Sequence, residues 1–113
     1  MTQMIRMTIT FGFNDKDVGY QLYPDRFYYD RVDKLLAMNT ITAATLNKCE
    51  GYYEGQKEKS MQIVLLLNME NEIYQSISDE DTKNIHGFIK GIKDDFNQEC
   101  VMVEQQVVTC NFI

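Results

Sequence analysis

The chain has 113 residues, a single proline, three cysteines, and 17 acidic against 11 basic side chains, for a net charge of −6. That length suits one domain, residues 1–113, with its own core and no need of disulfide or metal staples. The negative balance argues against direct binding of nucleic acid or of an anionic membrane, and it leaves a basic protein surface as the favoured partner.

Cys49, Cys100 and Cys110 cannot all pair, and no C-x-x-C occurs. They are expected as small buried hydrophobes in a reduced, cytoplasmic setting. Residues 1–13 interleave Thr and Gln with apolar side chains and lack the h-region of an export signal. The longest apolar run, 63–67, falls far short of the roughly 20 residues that cross a bilayer.

Ile5, Met7, Ile9, Phe11 and Phe13 alternate with Arg6, Thr8, Thr10 and Gly12, the period of a strand packed on one face. Turn residues follow from Asn14 to Gly19. Pro24 and Asp25 then suit a helix start, where a fixed φ and a negative charge are both favourable. Tyr28, Val32, Leu35 and Leu36 form the apolar stripe of that helix, which is expected to stop near Asn39.

Residues 42–53 carry a weaker pattern through Cys49, Tyr52 and Tyr53, with Gly51 suggesting a bulge or a close approach, and read as an edge strand. Glu54-Gly55-Gln56-Lys57 connects it to a strand in which Met61, Ile63, Leu65 and Leu67 alternate with Gln62, Val64, Leu66 and Asn68. Both faces of its middle are apolar, which makes it central. Ser78 before Asp79, Glu80 and Asp81 is an N-cap followed by charge that favours a helix N-terminus. Ile85, Phe88, Ile89, Ile92 and Phe96 continue with helical spacing, and residues 100–110 close the chain as a last alternating strand.

The order βαββαβ predicts an α+β, ferredoxin-like fold: a four-stranded antiparallel sheet in the order 4-1-3-2 with both helices on one face. The other face is left open. It would present Arg6, Thr8 and Thr10 beside Gln62, Val64 and Leu66, with Met102 and Glu104 nearby. Apolar residues within a polar rim mark an interface, so Thr8, Val64, Leu66 and Met102 are expected to meet a second copy in a homodimer, or another partner.

Catalytic and cofactor signatures are not written along the chain. His86 has no Cys, Asp or Glu three or four residues away, and the glycines never take the spacing that cradles a phosphate. No metal, cofactor or catalytic residue is assigned. Glu50, Glu54 and Glu58 flank the hairpin, where solvated acids are common. Gly87 and Gly91 lie one turn apart, away from the apolar stripe, which leaves room for a close approach there, and with Asp94 and Asp95 they would outline a small acidic groove for a basic helix or loop.

The tyrosines stand among acids: Tyr20, Tyr23, Tyr28, Tyr29, Tyr52 and Tyr53 beside Asp17, Asp25, Asp30, Asp33, Glu50 and Glu54. Tyrosine offers contact area and a hydroxyl at low entropic cost. The candidate binding residues are Tyr29, Asp30, Asp33, Tyr52, Tyr53, Glu54, Glu58 and Ser60.

Three segments, Phe11-Gly12-Phe13-Asn14, Glu58-Lys59-Ser60 and Phe96-Asn97-Gln98-Glu99-Cys100-Val101, together resemble an uncharacterised family of small α+β domains from bacteria and their phages. The resemblance spans nearly the whole chain. It implies the fold rather than an activity. Glu58, Ser60, Gln98 and Glu99 look like the family's polar positions, and a serine commonly stands where Cys100 stands here.

The expectation is therefore a non-enzymatic interaction protein, an anti-CRISPR-like inhibitor by which a phage or mobile element disables a host defence protein in the host cytoplasm through its acidic, tyrosine-rich surface. The alternatives are a dimeric binder of a small ligand or signalling nucleotide, and a small enzyme of unknown class.

Overall fold

The computed structural model describes residues 1–113. The elements are β1 (Thr2–Gly12), α1 (Asp25–Met38), β2 (Thr45–Tyr53), β3 (Gln56–Asn68), α2 (Asp79–Asp95) and β4 (Met102–Cys110). All pairings are antiparallel and the sheet order is β2-β3-β1-β4, which is the expected ferredoxin-like order viewed from its other edge.

The caps follow the local chemistry. The Ser78 hydroxyl accepts the Asp81 amide at 3.1 Å and opens α2, whereas α1 starts behind Pro24 with no side-chain cap. At the other end of α1 the Asn39 side chain donates to the Leu35 carbonyl at 2.8 Å, and Thr40 takes a φ of 58°, turning the chain out of the helix.

Several boundaries differ from the sequence pattern. Gly51 makes no bulge, since it pairs in regular register with Glu58. The hairpin turn is only Glu54-Gly55, both at positive φ (50° and 78°), the geometry that matches the twist of the two strands. β4 begins at Met102, so Cys100 lies in the preceding loop and is exposed, while Cys49 and Cys110 are half-buried. The cysteines are thus free thiols and not the buried hydrophobes expected of them.

The core lies between the helices and one sheet face. Met7, Ile9, Met61, Ile63 and Leu65 pack there with Val32, Leu35, Ile85, Phe88 and Ile92. Towards the end of β1 the core turns aromatic. Phe13 stacks on Tyr28 with centroids 4.2 Å apart, Phe11 stacks on Phe96 at 5.2 Å, and the Tyr28 hydroxyl donates to the Phe13 carbonyl at 3.2 Å.

Gly87 and Gly91 do not line an open groove. Each lies against α1, where an added Cβ would meet the side chains of Asn39 and Leu35 respectively, so the small residues let the helices approach closely. Arg31 and Asp95 join the same pair of helices in a 2.7 Å ion pair. Because Phe13 is only 1% exposed and stacked, Phe13→Ala is expected to cost about 3–5 kcal/mol, read as a lowered urea midpoint.

Candidate functional site

Three segments converge at the end of β1: the β1–α1 loop, the β2–β3 hairpin and the α2–β4 turn. Gly12 ends β1 opposite Ser60. A Cβ added at Gly12 would collide with the Glu58 carboxylate, which lies directly across it on the open side of the sheet. Glycine is required here by close approach.

The carboxylate is held by backbone. The Asn14 amide donates to Glu58 Oε2 at 3.1 Å. Gln98, a buried polar residue, donates from Nε2 to the Asn14 carbonyl at 2.9 Å and to the Phe96 carbonyl at 3.2 Å. Next to it, the Asn97 side-chain amide donates to both Asp15 oxygens at 3.0 Å and to Asp17 at 2.7 Å, and the Lys16 amide donates to the Asn97 carbonyl at 3.0 Å. Residues 14–16 are thereby tied to residues 97–98 across more than 80 positions of sequence.

The charge here is predominantly negative. Glu54, followed by Glu99, Cys100 and Glu58, pushes the Tyr53 phenol above its ordinary value, which places Tyr53 within the field of the hairpin and turn acids. The Asn97 amide and the backbone amides of Asp17 and Val18 hold the Asp15 carboxyl below its ordinary value. Ser60 is buried beside Gly51, its hydroxyl 3.4 Å from Cys49 Sγ.

Further along the same face is a groove of about 860 Å³ whose floor includes Arg6, Thr8, Gln62, Val64 and Leu66, with the chain from Thr42 to Asn47 along one side. Its size is that of a small-molecule site, and it mixes apolar surface with hydrogen-bonding side chains. Between this groove and Glu58, the Thr10 hydroxyl oxygen is buried without a partner.

The expected tyrosine-rich surface is divided by the sheet. Strand register sends Glu58 and Ser60 to the open face with Tyr53, and Tyr52 to the helix side. Glu54 occupies the turn. On the helix side Tyr29 packs edge-on to Phe13 and lies under the Lys48 ammonium at 3.9 Å, while Asp30 pairs with Arg26 at 3.7 Å and Asp33 is solvated. The structure therefore joins Tyr53, Glu54, Glu58 and Ser60 and separates them from Tyr29, Asp30, Asp33 and Tyr52. Thr8 and Val64 are half-buried in the groove; Leu66 and Met102 are 45% and 53% exposed. Gly12 and Asn14, absent from the sequence-based set, act through a missing side chain and a backbone amide.

No protein-family model matches the chain, and no curated protein matches it. Among solved structures it is similar to a phage SAM lyase in complex with S-methyl-5'-thioadenosine, at 22% identity and a TM-score of 0.63, over 95% of this chain and 90% of that one. It is also similar to CPII, a nitrogen regulatory PII-like protein from Thiomonas intermedia K12 bound to ADP, AMP and bicarbonate, at 10% identity and a TM-score of 0.52, over 97% of each chain. At such identities the likeness is one of fold.

The first match overturns the expectation of a non-enzymatic domain, because nearly the same course of chain is that of an enzyme. That expectation rested on motifs missing from the sequence. Groups that converge only through tertiary structure leave no such motif. Both of these neighbours hold small molecules in their solved structures.

The acids of the β1–α1 region make acid stability testable. The Asp15 and Asp25 carboxyls are held low, Asp25 chiefly by Gln21 and then by Lys59. Their contribution is complete above the unfolded-chain value near pH 3.9 and is lost as the pH falls through the lower folded values. Asn97→Ala removes the main cause at Asp15. Its deficit in melting temperature against the parent protein is expected at pH 6 and should narrow towards pH 2 in thermal melts.

Proposed function

We propose that this chain is an S-adenosylmethionine lyase that binds its substrate on the open sheet face, with Glu58 as the anchoring carboxylate. The observation that carries the reading is a carboxylate fixed over a glycine on that face, beside a groove of small-molecule size. The fold likeness to a phage SAM lyase supports it.

The chemistry suits the site. The substrate carries a sulfonium and an ammonium, so an aromatic face and a negative field draw it in, and Tyr53 with the acids around it supplies both. Gln62 stands four residues from Glu58 along β3, about 13 Å at 3.3 Å per residue. An extended adenosyl sulfonium can span that interval, with its adenosine among Arg6, Asn47 and Gln62.

In such a lyase the electrons of the C–S bond leave with sulfur, giving neutral 5'-methylthioadenosine. No water is consumed. The carbon left behind is completed by attack of the substrate's own carboxylate, or by formation of a double bond as a neighbouring proton is lost. A carboxylate set against the sulfur would stabilise the charged ground state more than the discharging transition state, and so would slow this step. Glu58 is therefore assigned to a donor that persists through the step, the substrate ammonium or a ribose hydroxyl.

Incubation with S-adenosylmethionine should release 5'-methylthioadenosine, measured by chromatography with mass detection. Glu58→Gln should lower kcat/KM by about 10²-fold, the scale of losing one oriented polar contact. A protein that neither turns over S-adenosylmethionine nor binds 5'-methylthioadenosine by calorimetry would refute the reading.

Self-association through the open face is a second proposal, supported by exposed Leu66 and Met102; a partner copy would wall the groove. Leu66→Glu should then sediment as a folded monomer while the parent chain sediments as an oligomer.

A further inference from the structure

The Glu58 carboxylate has a support that is neither a neighbour in sequence nor a side chain. Its Oε2 accepts from the Asn14 amide, which belongs to the peptide between Phe13 and Asn14. That peptide is held on both sides. Before it, the Phe13 amide donates to the Lys59 carbonyl at 2.9 Å, fixing the chain to β3. After it, the Asn14 carbonyl accepts from Gln98 Nε2 at 2.9 Å.

Gln98 is well placed to act as a fixed point. It is only 9% exposed, its second Nε2 contact is the Phe96 carbonyl, and its own amide donates to the Lys93 carbonyl at 3.1 Å in the last turn of α2. Phe96 in turn stacks on Phe11. The side chain therefore reaches from a rigid helix end to the loop that carries the Asn14 amide. A buried primary amide with both contacts made to carbonyls is costly to replace by an apolar group, because the carbonyls lose their donors.

We propose that Gln98 is the positioning residue of the site: through the Asn14 peptide it aims the amide that fixes the Glu58 carboxylate over Gly12. The inference rests on the assignment of Glu58 above for its effect on turnover, but the coupling between Gln98 and Glu58 is a property of the unliganded protein. The two can be tested separately.

In the unliganded protein the Asn14 amide proton should resonate downfield as a donor to a carboxylate, and Glu58→Gln should move it upfield. Gln98→Met should move it in the same direction, and Glu58→Gln should shift the Gln98 side-chain amide signals. This second measurement needs no Gln98 variant, so it stands even if Gln98→Met does not fold. Unmoved Asn14 and Gln98 signals in the Glu58→Gln protein would overturn the proposal, whatever the substrate.

For turnover, Gln98→Met should lower kcat/KM by at least about tenfold, and the double variant with Glu58→Gln should fall little below Glu58→Gln alone. Residues acting as one unit are non-additive in this way. Losses that simply multiply would make Gln98 a general stabiliser and overturn the positioning role. Absence of lyase activity together with coupled amide signals would remove the reading of function and leave the coupling intact.

Discussion

The alternation Phe11-Gly12-Phe13 puts two of the bulkiest side chains on the helix side of the sheet and none on the other, and the site end depends on that contrast. Phe11 and Phe13 are clamped by Phe96 and Tyr28, so the end of β1 cannot swing away from the helices. Above the sheet, Gly12 leaves the space that Glu58 occupies. A well-filled core below and a cleared surface above are the same three residues seen from opposite sides.

The sheet also sorts the charge. Tyr52 and Tyr53 are neighbours in sequence but project to opposite faces, because successive residues of a strand alternate. On the helix side several acids are engaged with cations: Asp25 with Lys59, Glu50 with Lys57 and Asp95 with Arg31. Around Tyr53 the acids Glu54, Glu58 and Glu99 have no cation among their salt-bridge partners. Acids without a cation partner thus stand together where the strands end on the open side.

Much of this was legible from periodicity. The two-residue and 3.6-residue repeats identify which side chains enter the core, and they assign Glu58, Ser60, Val64 and Leu66 to the open face. Contacts made by backbone were not legible: the Asn14 amide and carbonyl are common to every residue type except that proline lacks the amide, and their partners Glu58 and Gln98 lie 44 and 84 positions away. Gly87 and Gly91 mark a close approach in the sequence but not what approaches, because the apolar stripe marks the sheet-facing side of α2, whereas the side facing α1 is set by closeness and is filled by small residues. The segment preceding β4 also mimics a strand, since Val101 continues the alternation although pairing begins only at Met102.

Thr2 pairs with Cys110, so the start of β1 and the end of β4 lie side by side at the end of the sheet furthest from Gly12. The 11 residues of β1 set that distance at about 33 Å. A fluorophore, surface tether or fused domain attached at either end would therefore project away from Glu58.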